Sequence, residues 1–134
     1  MRAANEAIVI TNNPSLSCSD NGIGTLYRSA SALEVMKEAE RLIYEGYKLL
    51  THPLGANWQM NAGPYKTIFL KKTGAIDSYS VFTISKCVMW LRNFPQAELS
   101  PQVGLDKTLL DYQFIDRELF VNVLTKYKAS PGTY

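Results

Sequence analysis

The chain has 134 residues, 46% hydrophobic and 19% charged, a balance that suits one globular domain able to bury a core without metals or disulfides and excludes a disordered chain. Its 14 basic and 12 acidic residues leave a formal charge of +2, and no Lys/Arg run forms a stripe that could follow a phosphate backbone, so nucleic acid is not an expected partner. No apolar run is long enough to span a bilayer, and MRAANEAIVI lacks the apolar core and cleavage site of a signal peptide; the expectation is a cytoplasmic protein without a membrane partner.

Ala7 to Thr11, AIVIT, is a β-branched run closed by Asn12-Asn13-Pro14 and predicts a buried strand entering a turn. The Ser/Asn/Asp/Gly-rich stretch through SCSDNGIG predicts a loop. Its Asn21–Gly24 resembles a phosphate-binding glycine loop only superficially, lacking the GxGxxG spacing. From Ser31 the period changes: Leu33, Met36, Glu40, Ile43 and Tyr44 recur at helical spacing, Ser31 and Glu34 form a capping box, and Gly46 is the stop. YKLLTH reads as a second strand, parallel to the first because a helix joins them.

The connection from Pro53 to Pro64 has no helical pattern, so the third strand, Tyr65 to Lys72, is expected to run antiparallel to the second. Asp77 or Ser78 caps a second helix to about Phe94, and FPQAELSPQVG separates it from a third, from about Leu105 to Tyr127. The expected fold is therefore α/β, a three-layer-like small domain with a short, three-stranded mixed sheet in the order β-α-β-β-α-α. It is one domain over 1–134 with a loose tail at 129–134. Both later helices carry more apolar residues than one face can bury. Packing between them and a homodimer interface are the expected outlets.

Cys18 and Cys87 show no CxxC or Cys/His spacing, so neither a metal nor another cofactor is expected, and Cys87 reads as a core residue. Ligands of open α/β sheets bind beyond the carboxyl ends of parallel strands. The first two strands both end at prolines, Thr11-Asn12-Asn13-Pro14 and Thr51-His52-Pro53, and the third begins at Pro64-Tyr65-Lys66. One edge would thus gather Asn12, Asn13, Thr51, His52, Asn61, Tyr65 and Lys66. Lys66 and the asparagine amides suit a small anion, and His52, the chain's only histidine, adds a donor that titrates near neutral pH. The bland alternative is that His52 bonds only its own loop, that Lys66 faces solvent, and that Asn12-Asn13-Pro14 is turn chemistry.

Three segments together, ITNNP at Ile10–Pro14, GYKLLTHPL at Gly46–Leu54 and NAGPYK at Asn61–Lys66, resemble the GrdX family of small proteins encoded with the glycine, sarcosine and betaine reductase systems of anaerobic fermenters. The family's motifs cover the first half; the helical second half is similar in character. This chain has Tyr44 and Tyr47 where members tend to carry histidine, and Gln59-Met60 where they have a basic-Pro pair. The resemblance implies an accessory rather than catalytic role in reductive amino-acid metabolism. Two other readings stay open: an interaction module docking on a reductase-complex protein, and a small enzyme acting on a carboxylate or acyl phosphate, with His52 as acid or base beside a carboxylate.

Overall fold

The computed structural model describes residues 7–16, 23–51, 64–93 and 107–129. Four strands, β1 (Ala7–Thr11), β2 (Gly24–Tyr27), β3 (Tyr47–Leu49) and β4 (Thr67–Lys72), form one mixed sheet in the order β2-β1-β4-β3. Three helices, α1 (Ala32–Tyr44), α2 (Ser78–Asn93) and α3 (Lys107–Ala129), cover it. The α/β class and the β-α-β-β-α-α order hold, with β2 added between β1 and α1.

That fourth strand corrects the three-stranded expectation. GTLY is too short to signal a strand alone; it pairs in parallel with the outer edge of β1, from Ile8 opposite Gly24 to Thr11 opposite Tyr27. Most of the loop expected through Gly24 lies outside the described residues, and Gly24 itself opens β2. β4 lies between β1 and β3 and is antiparallel to both, so β1 and β3 do run parallel but are not neighbours. β3 ends at Leu49, before Thr51, and β4 starts at Thr67, two residues later than the alternating pattern suggested.

Local signals account for the helix ends. Ser31 Oγ accepts from Glu34 N at 3.2 Å and caps α1. Gly46 follows α1 at φ +105°, and a Cβ there would come within 3.3 Å of the Gly74 backbone, whose N–H donates to Gly46 O at 3.0 Å. Asp77 caps α2 by accepting from Ser80 N at 3.0 Å and Ser80 Oγ at 2.7 Å, which holds its carboxyl below the usual range. Ser80 Oγ in turn accepts from Leu49 N at 2.9 Å, tying α2 to β3.

The period-two alternation of β1 and β4 builds two cores. Ile10, Ile68 and Leu70 face α1 and α2, where they meet Val35, Met36, Ala39, Ile43, Ile84 and Leu91. Cys87 lies in this core, its thiol pushed up to about 11 by burial. Val9 and Phe69 face the other way, against Phe120, Leu124 and Tyr127 of α3. Mutual packing of α2 and α3 was the expected outlet for their apolar surplus; instead these helices cover opposite faces of the sheet, because β1 and β4 carry apolar residues on both. Tyr79, Phe82 and Met89 of α2 and Leu110, Phe114, Ile115 and Leu119 of α3 remain exposed.

Phe69 anchors the α3 face, its ring edge-on to Phe120 at 5.9 Å and to Tyr127 at 5.1 Å between centroids. Phe69→Ala is expected to destabilise the protein by about 3–5 kcal/mol in denaturant unfolding, whereas Met89→Ala should stay within about 0.5 kcal/mol. Equal effects would contradict a core on the α3 side.

Candidate functional site

At the carboxyl end of β1 the chain must leave the sheet before Pro14, and the backbone groups there need new partners. Thr11 stands opposite Thr67, the first residue of β4, and their hydroxyls are 2.8 Å apart. Asn12 bridges outward from this point. Its Oδ1 accepts from Lys66 N at 2.8 Å, and its Nδ2 donates to Ala30 O at 2.9 Å and Pro64 O at 3.0 Å. Asn13 bridges to α3, donating from Nδ2 to Gln113 O at 2.9 Å and Asp116 Oδ2 at 3.0 Å. Its Oδ1 accepts from Ser15 N and Oγ at 3.0 and 2.8 Å. All four side-chain amide hydrogens are thus donated within the fold, so Asn12 and Asn13 position their surroundings and hold no hydrogen for a ligand in this arrangement.

Charge lies beside this seam. Lys66 is 1% exposed and Asp116 7% exposed. Asp116 Oδ2 also accepts from Thr67 Oγ1 at 2.5 Å. Burial pulls Lys66 down to about 8, although the attraction of Asp116 works the other way. Burial also raises Asp116 above the usual carboxylate range, against the hydrogen bonds from Thr67 and Asn13 and the attraction of Lys66. For both groups, desolvation outweighs the attraction of the opposite charge. Next to Lys66, Tyr65 is buried with its hydroxyl accepting from Gln113 Nε2 at 2.9 Å.

Of the residues expected at this edge, Asn12, Asn13, Tyr65 and Lys66 are brought together here. Thr51 lies half-buried beyond the end of β3, and His52 and Asn61 lie outside the described residues. Lys66 is buried rather than facing solvent. Thr67, Gln113 and Asp116 were not anticipated. Asp116 had a signal, since it precedes Phe120 by one helical turn on the stripe that continues through Leu124 and Tyr127, where a carboxylate needs a polar partner.

The fold and this edge define a small α/β protein with a buried lysine and a buried carboxylate near the carboxyl end of its first strand. The family model for GrdX, described as GrdX-like protein, matches residues 8–125, from β1 into α3 and well beyond the motifs of the first half. The chain belongs to the GrdX-like family. No curated protein and no solved structure matches it. Among the described residues no helix is long and apolar enough to cross a membrane.

Burial of Lys66 makes stability depend on pH. Lys66 has a folded pKa near 8 against an ordinary 10.5, so between these values the unfolded chain binds more protons than the folded one and stability rises with pH. Relative to Lys66→Met, the parent should gain up to about 3 kcal/mol from pH 8 to 10.5 in denaturant unfolding. Parallel pH profiles for the two proteins would show that the ammonium carries no desolvation penalty.

Proposed function

We propose that this GrdX-like chain is a non-catalytic accessory protein of anaerobic, glycine-reductase-type amino-acid metabolism and binds a small anionic ligand at the carboxyl-edge loops. The observation that carries the reading is the sealed ammonium of Lys66. Burial pulls its pKa down to about 8 although the attraction of Asp116 works the other way, and negative charge brought close to it would favour the ammonium. Lys66 supplies the charge, Tyr65 and Thr51 are neutral polar contacts, and His52 and Asn61 contribute from the intervening segment. Asn12 and Asn13 hold the edge in shape. The family membership supports the metabolic setting; the ligand class rests on the chemistry of the edge alone.

Carboxylates and phosphates from a small panel should raise the thermal midpoint of the parent protein. Lys66→Met should abolish the shift and His52→Ala should weaken it. An equal shift in Lys66→Met would remove the lysine from the site, and an unresponsive parent protein would count against a small anion.

A protein-contact reading is favoured by a separate observation. On α2, Tyr79, Phe82 and Met89 are more than three-fifths exposed at spacings of three and seven residues, one face of the helix, with the Lys86 ammonium 4.9 Å from the Phe82 ring centre. We propose that this face meets a second copy of the chain. Light scattering should then give the mass of a dimer and Phe82→Glu that of a monomer; a monomeric parent protein would rule this out and turn attention to a reductase-complex protein.

A further inference from the structure

Helix α2 is charged in one sense only. Its sequence, SYSVFTISKCVMWLRN, holds Lys86 and Arg92 and no acidic side chain, and Asp77 just before it is engaged by Ser80. Tyr79, Phe82, Lys86 and Met89 are all exposed, and they follow one another along a single face at gaps of three, four and three residues. That order of gaps reads the same from either end. A second α2 laid against the first in the opposite direction therefore brings all four levels into register. Tyr79 meets the partner's Met89, Phe82 meets the partner's Lys86, and each contact recurs by two-fold symmetry.

The chemistry of the four residues suits the reversed pair and not the parallel one. In a parallel pair Lys86 stands opposite the partner's Lys86, two ammoniums on an apolar seam with no carboxylate in either helix to offset them. Reversed, each level joins an aromatic ring to a group that rings attract, the Lys86 ammonium to Phe82 and the Met89 sulfur to Tyr79. Lys86 is already placed for this, its Nζ 4.9 Å from the centre of its own Phe82 ring. In the pair each ammonium lies between two rings, its own and the partner's. An acidic partner would satisfy Lys86 but set its carboxylates against the negative faces of two rings.

We propose that α2 pairs antiparallel with α2 of a second copy, and that Lys86 sets the direction and register of the pair. The inference rests on the second-copy reading of this face and adds its geometry.

The test is a photocrosslink. The label p-benzoylphenylalanine replaces exposed Tyr79, the protein is irradiated at the concentration used for light scattering, and links are mapped by peptide mass spectrometry. The expected link runs from position 79 to Met89 of the partner subunit. Within one chain these positions are about 15 Å apart along the helix, beyond the reach of the label, so the link reports on two copies. Links into the first turns of the partner's α2 mean a parallel pair; they overturn the proposal and leave the second-copy reading intact. A monomeric parent protein, or a dimer with no link into α2, overturns both.

Sedimentation gives the part played by Lys86. Lys86→Gln should raise the dimer dissociation constant about fivefold to thirtyfold through loss of two symmetric contacts between ammonium and ring, and Lys86→Arg should stay within about twofold of the parent protein. Lys86 is exposed, so neither variant disturbs a core. An unchanged constant in Lys86→Gln overturns its role in setting the register.

Discussion

The arrangement depends on two adjacent asparagine side chains, Asn12 and Asn13, at the point where β1 leaves the sheet. Strand pairing ends there, yet four segments converge: the end of β1, the entrance to α1 at Ala30, the approach to β4 at Pro64–Lys66, and α3 at Gln113 and Asp116. A backbone group left unpaired in such a buried place costs about 1–3 kcal/mol, and the two amides satisfy several at once. They also fix geometry, since each planar amide sets the separation of the groups it bridges. The apolar contacts of Phe69 hold the C-terminal half of α3 to the sheet, whereas the Asn13 bridge fixes the position of its earlier turns.

Within that frame the charges have a different standing from those on the surface. Arg41 bridges Glu38 and Glu45 along the exposed side of α1, a pattern that adds little because water screens both partners. Lys66 and Asp116 are sealed, and there the loss of hydration exceeds what their attraction returns. Asp116 nonetheless holds the seam together through the hydrogen bonds it accepts from Thr67 and Asn13.

The two sides of the sheet have unequal cover. Among the described residues one core is built by α1 and α2 together and the other by α3 with Leu16, Ile23 and Leu50, and both outer helices keep apolar residues in water. Alternation along β1 and β4 requires helices on both faces, but it does not require either helix to be apolar on its outer side. The surplus seen in the sequence therefore remains in the folded chain, where an oligomer or a partner could cover it.

The sequence by itself determined the features that depend on residues a few positions apart. The cap at Ser31, the stop at Gly46, the cap at Asp77 and the alternation of β1 and β4 are local consequences of hydrogen-bond reach, backbone freedom and side-chain period. The two prolines and the patternless connection before Pro64 were enough to bring Asn12, Asn13 and Lys66 to one edge. Only the tertiary structure decided what spans long stretches of chain. β2 is a strand because β1 offers it an edge, and α2 and α3 are separated because the sheet between them is apolar on both faces. Asp116 meets Asn13 across more than a hundred residues. Its raised pKa follows from burial, and burial is a property of the packed molecule rather than of any short run of residues.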